Sequence, residues 1–156
     1  IEAYKEKLAK EDAAEKASKA RSLSKKLKSL PKYSFSDQAE SKKLQSFLFN
    51  DLTEKNGKDY KILSTFFSDN AYELNRNKNG NITDKSVKVL LVVQNESSNK
   101  CYLYFAIVGY ENLGGAFNTE LSFMPYASIE IENEKSANFP YSLKGRYLHE
   151  LNECEF

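Results

Sequence analysis

The chain is predicted to be an α+β protein. A long N-terminal helix and two shorter helices lead into an antiparallel, β-sandwich-like domain of immunoglobulin type. Three observations predict this. Residues 1–30 contain neither Pro nor Gly and are dense in Ala, Lys and Glu, all good helix formers. The apolar period shortens from that of a helix to that of a strand after Thr83. Beyond that point Asn, Gly and Pro cut the chain into short segments. We divide the chain into a helical arm at 1–31, a helical region with an Asn-rich loop at 32–83, and an antiparallel β domain at 84–156.

In the arm, acidic residues come early (Glu2, Glu6, Glu11, Asp12) and basic residues late (Lys16, Lys19, Arg21, Lys25, Lys26, Lys28). A helix dipole favours this polarity. Ala13, Ala17, Ala20, Leu23, Leu27 and Leu30 form a narrow stripe at three-and-four spacing. It is too thin for a core of its own and suits close packing against another helix, either a partner's or one in this chain. Pro31 ends the arm. Ser36 or Asp37 can cap the next helix, whose inner face is Leu44, Phe47, Leu48, Asp51 and Leu52. Asn56-Gly57 signals a turn. Tyr60, Leu63, Phe67, Ala71 and Leu74 then read as a third helix beginning near Lys58, followed by a loop from Asn75 to Asn81.

The β domain opens with Val87, Val89, Leu91 and Val93, which alternate with Lys88, Leu90 and Val92 in a strand partly apolar on its second face. A polar turn, Asn95 to Lys100, leads to a second strand from Cys101 to Val108, making an antiparallel hairpin. Gly114-Gly115 marks the next turn. Phe117 to Phe123 and Ala127 to Glu132 are further strands, broken at Met124-Pro125, and the tail from Tyr141 to Phe156 supplies one or two more.

Hydrophobic residues at 40% and charged residues at 29% fit one globular core, or a core with an appendage. The formal charge of +1 makes no global case for nucleic acid or an anionic membrane. It divides unevenly, with nine basic and five acidic residues in the arm and a net of about −3 in the remainder. We take the basic end of the arm as a solvated helix face; contact with anionic lipid or nucleic acid is the weaker reading. No apolar run reaches the ~18 residues of a membrane helix. The first residue is Ile1 and the only Met is Met124, which leaves room upstream for a signal peptide, a lipid anchor or another domain. Membrane contact is expected only through such an anchor.

Cys101 and Cys154 are the only cysteines. They are too far apart for a CxxC redox motif and too few for a structural zinc site. We read them as a disulfide tying the tail to the second strand of the β domain, because Cys154 lies two residues from the end. The alternative is a pair of buried reduced thiols acting as small hydrophobes. His149, the only histidine, lies five residues from Cys154, which on one strand puts the two on opposite faces. We read it as structural. There is no nucleophile elbow, no HExxH and no phosphate-cradling glycine loop.

Asn75, Asn77, Asn79, Gly80 and Ile82 mimic several positions of an EF-hand loop. Asn replaces Asp at the first position, however, and Ser86 stands where a bidentate Glu belongs, so no metal is expected. Tyr102, Tyr104, Phe105, Tyr110, Phe117, Phe123 and Tyr126 could suggest base stacking. Nucleic-acid binders interleave such residues with Lys and Arg, whereas 101–134 carries no basic residue. These aromatics are expected mostly in the core, with Tyr102, Tyr104 and Tyr110 suited to an interface.

The half from Val87 onward resembles small Cys-containing β-sandwich domains of envelope and secreted proteins of Bacteroidota. The resemblance rests on an Asn-x-Ser turn leading to a Cys (Asn95 to Cys101), Gly109 ending that strand, a Pro-led strand (Pro125 to Glu132), and Leu-x-Gly-x-Tyr (Leu143 to Tyr147) before the second Cys. It implies an exported domain with a bridge, and no chemistry. The expectation is therefore a non-enzymatic component of a bacterial cell-envelope or secreted assembly. It would use no cofactor and dock on a protein partner through Ala13, Ala17, Ala20, Leu23, Leu27 and Leu30. Its location would be the periplasm, the envelope or the outside. The alternative is a small-ligand-binding or enzymatic domain with helices covering a curved antiparallel sheet, for which polar groups should converge in an apolar pocket.

Overall fold

The computed structural model describes residues 2–124 and 146–156. Its α+β architecture is two helices and one open antiparallel sheet of six strands. In chain order these are α1 (Glu2–Ser29), α2 (Gln38–Asn56), β1 (Tyr60–Phe67), β2 (Glu73–Arg76), β3 (Ile82–Asn95), β4 (Cys101–Glu111), β5 (Ser122–Phe123) and β6 (His149–Glu150). The long strands β3 and β4 form the middle of the sheet. β1 and β2 pair with successive parts of β3, and β5 and β6 with separate parts of β4. The strand expected at Ala127 to Glu132 lies outside the described residues.

The expected sandwich of two sheets is not what covers the strands. β3 and β4 are apolar on both faces, and a helix lies over each. On one face Val87, Val89, Leu91, Val93, Tyr104, Ala106 and Val108 pack under Leu44, Leu48 and Leu52 of α2. On the other, Leu90, Val92, Leu103 and Phe105 pack under Leu23 and Leu27 of α1. Strict alternation along β3 and β4 sends successive side chains to opposite helices. The partly apolar second face seen in the sequence is thus a second core.

The third helix expected after Lys58 is instead strand. β1 carries a bulge between Ile62 and Ser64, so Ile62 pairs with Val93 but Ser64 pairs with Val92. Before the bulge, Tyr60 and Ile62 face α2; after it, Thr65 and Phe67 do. An inserted residue shifts the alternation by one, and the shifted pattern over 60–67 resembles a helical stripe. Leu63 and Leu74, assigned to that stripe, are exposed. The Asn-rich loop is therefore a hairpin turn. Asn77 Oδ1 accepts from the backbone N–H groups of Asn79 and Asn81, both at 3.0 Å, and Gly80 takes the left-handed φ of 82°. Asn75 donates to Asp84 and Ser86 across the β2–β3 ladder, at 2.7 and 2.8 Å.

Asp37 caps α2, its Oδ1 accepting from the N–H groups of Ala39 and Glu40 at 3.0 and 3.1 Å. Gly109 meets Ser86 in the middle of the sheet, and a Cβ there would lie 1.9 Å from the Lys85 carbonyl oxygen. Since the atoms it would meet are β3 backbone, which cannot swing aside as a side chain can, only glycine lets the two long strands approach at this register.

Candidate functional site

The predicted docking stripe divides between two environments. Leu23 and Leu27 are buried against the sheet and Ala20 is buried beside them, with Leu30 packed partly on the same cluster. Ala13 and Ala17 are exposed, as is every residue from Glu2 to Lys19. The exposed stretch is about 27 Å of helix at 1.5 Å per residue. The buried end is clasped by the chain's own tail. Asn152 N–H donates to the buried Ser24 hydroxyl at 3.1 Å, and Lys28 pairs with Glu153 at 2.7 Å.

The tail itself is fixed by a disulfide between Cys101 and Cys154. Leu151 N–H donates to the Cys101 carbonyl at 2.9 Å, and Lys100 pairs with Glu150 at 3.5 Å. His149 lies in β6, half-buried, with its ring 6.3 Å from that of Phe105. The bridge therefore closes the α1 core, and Cys101 is itself part of that core.

On the α2 face a buried polar network holds the tail from the other side. Asp51 accepts hydrogen bonds from Tyr104 Oη and, through both carboxylate oxygens, from Arg146 Nη2 (2.7 Å) and Nε (3.2 Å). Lys55 stands 3.9 Å away, and the Arg146 guanidinium stacks 4.1 Å from the Phe123 ring centroid. Burial pushes the Asp51 carboxyl up, but the hydrogen bonds of Arg146 and Tyr104 outweigh it and hold the group below its usual range. Burial, then the Asp51 carboxylate, pushes the Tyr104 hydroxyl well up, so it stays a neutral donor.

A separate cleft of about 570 Å³ opens where the N-terminal turn of α2 overhangs the ends of β2, β3 and β4. Glu40, three residues beyond the Asp37 cap, has the position of a capping-box glutamate. Its Oε2 instead accepts from the hydroxyls of Tyr110 (2.7 Å) and Tyr72 (2.8 Å). Lys43, three residues further along α2, donates to Tyr110 Oη at 3.0 Å and to the Thr119 carbonyl at 3.4 Å. Burial and then Glu40 push the Tyr72 hydroxyl well up, whereas the Tyr110 hydrogen bond holds the Lys43 ammonium above the usual lysine value. Lys85, from β3, places its ammonium 4.7 Å from the Phe117 ring centroid, 5.3 Å from that of Tyr110 and 5.4 Å from that of Tyr72. Phe35 closes the back, edge-on to Tyr72 at 5.0 Å.

This arrangement is polar groups converging in an aromatic-walled recess. Sequence reasoning missed it: Glu40 and Lys43 of α2, Tyr72 just before β2 and Lys85 of β3 come from three separate segments, and the one local sign was an acidic residue at the third position after the cap. Tyr104 and Tyr110, read as suited to an interface, are buried in the α2 core. Among the described residues no group of His, Cys, Asp and Glu is arranged to hold a metal ion.

The class defined by fold and site is a disulfide-closed α+β domain with a helix on each face of one open antiparallel sheet. No family model matches the chain, and no curated protein or solved structure shows significant similarity to it.

A disulfide belongs to an oxidising compartment, and among the described residues no helix is long and apolar enough to cross a membrane.

Proposed function

We propose that the protein is a non-enzymatic binding module of a bacterial cell-envelope or secreted assembly, and that the cleft beneath the N-terminus of α2 holds a small ligand. One observation carries the ligand reading: a recess of about 570 Å³ in which Glu40, Lys43 and Lys85 converge on three aromatic rings. Its size and mixture of apolar wall and few polar groups are those of small-molecule sites. The disulfide supports the exported location. The reading as a binder rather than an enzyme rests on how the charged groups are engaged. Tyr72 and Tyr110 cap the Glu40 carboxylate, and among the described residues of the cleft no nucleophile is paired with a base.

The test is an NMR titration of the amide resonances against a library of small organic fragments. Saturable shifts are expected at Glu40, Tyr72, Lys85 and Phe117. Ala71 is exposed on the rim of the cleft, so A71W should fill the cleft, leave the fold intact and abolish those shifts. Shifts that persist in A71W would place binding elsewhere.

The exposed half of α1 supports a second reading, docking on a protein partner. Leu23 and Leu27 are engaged within the chain, which leaves Ala13 and Ala17 as the solvent-facing part of the stripe. A photo-crosslinking residue at Glu6 or Lys10, on the same helix face as Ala13 and Ala17, should trap one adduct of discrete size in cells, and one at Lys58 should not. Loss of the adduct in A13D/A17D is expected; an unchanged adduct would remove the stripe from the interface.

A further inference from the structure

Resting on the cleft reading, we infer that its ligand is an organic anion: a carboxylate on a flat, apolar body, seated against Lys85. The basis is the hydrogen-bonding capacity left over in the recess. Its two acidic side chains are already engaged. Asp37 accepts two backbone N–H groups of α2, and Glu40 accepts two tyrosine hydroxyls. Lys43 is partly engaged by Tyr110 and the Thr119 carbonyl.

Lys85 differs. Three ring faces surround its ammonium, at 4.7 to 5.4 Å from their centroids, and among the described residues it has neither a hydrogen bond nor an ion pair. Ring faces attract a cation through their quadrupole, but they offer no lone pair to its three N–H donors. The charged donor left in the cleft is thus Lys85, set between Tyr72, Tyr110 of β4 and Phe117 in the turn after β4. A carboxylate offers that ammonium lone pairs and an opposite charge together, and such charge-assisted hydrogen bonds are the strong ones. The rings of Tyr72 and Phe117 flank that point and present flat apolar surface to whatever carries the carboxylate. A ligand cation would meet two ammonium groups, Lys43 and Lys85, at 5.1 and 5.3 Å from the centroid of the Tyr110 ring.

The experiment compares benzoate, benzamide and benzylammonium by NMR titration of the full chain at fixed ionic strength. Benzoate should give saturable shifts at Lys85, Tyr110 and Phe117. Benzamide should bind at least tenfold more weakly, and benzylammonium should give no shift at those residues. K85Q should weaken benzoate at least tenfold with benzamide unchanged, and K85R, which keeps the charge, should retain most of the affinity. Equal binding of benzamide and benzoate, or benzoate binding untouched in K85Q, would overturn the anion inference and leave the cleft as a binding site. Saturable shifts at the cleft from neutral fragments alone would do the same. No saturable shift at the cleft from any of these compounds or from the fragment library would overturn both.

Discussion

Removing the Cys101–Cys154 bridge with C101S/C154S is expected to lower stability by about 4 kcal/mol, the chain-entropy value for a closed loop of this length. For a chain of this size that corresponds to a melting temperature lower by about 8–16 °C. The effect should spread beyond the two sulfurs, because the tail they hold also clasps α1. With the bridge gone, the bond from Leu151 to the Cys101 carbonyl, the bond from Asn152 to Ser24 and the Lys28–Glu153 pair depend on a free chain end. Hydrogen exchange should therefore accelerate at Leu151 and Asn152, and next at the buried end of α1 around Leu23 and Leu27. Thermal unfolding with and without reductant measures the first effect, and amide exchange the second. A melting temperature that falls by less than about 3 °C would show that the clasp holds the tail without the covalent tie.

Replacing Asp51 is the second large effect. D51A should cost about 3 kcal/mol, the lower end of the range for breaking a buried ion pair. Most of the loss comes from Tyr104, whose hydroxyl is fully buried and would have no acceptor. Arg146 is 40% exposed and can turn to water. D51N, which keeps an acceptor for Tyr104, should lose less. The same network has a pH signature. The folded-state value of Asp51 is depressed below its ordinary 3.8. Its contribution is therefore fully present above that ordinary value and disappears as pH falls through the depressed one. Wild-type stability should drop on acidification below about pH 4, and D51A should show a shallower drop over that window. Denaturant unfolding at a series of pH values checks this; parallel curves for the two proteins would exclude Asp51 as a source of the acid sensitivity.

Much of the fold was legible because it is written in local chemistry. The Asp37 cap, the Leu44–Leu48–Leu52 face of α2, the Asn56-Gly57 stop and the β3–β4 hairpin all depend on residues a few positions apart. The same holds for the strand alternation that put Cys101 on an inward face. The errors have equally specific causes. The bulge at Ile62–Ser64 broke the alternation of β1 and made a strand look helical. Two strands apolar on both faces were read as half of a sandwich, because periodicity shows that a face must be covered but not by what. The cleft was illegible for a different reason. Glu40 and Lys43 are helix-surface residues by every local criterion, Tyr72 lies just before β2, and Lys85 lies on β3. Nothing short-range says that the β2–β3 and β3–β4 registers bring them under the first turn of α2.

Taken alone, the sequence determined the α+β class, the central hairpin, a helical first segment with an apolar end and a cysteine pair suited to a staple. Each of these follows from propensity, periodicity or spacing, which act within a few residues. Only the tertiary structure decided that the Leu end of the stripe serves this chain's own sheet. It alone decided that a single sheet is covered by two helices, and that Lys85 stands among three rings with no hydrogen-bond acceptor among the described residues. Those outcomes depend on which distant segments come together to bury apolar surface and on which polar groups then find partners, and that selection is made by the whole chain at once.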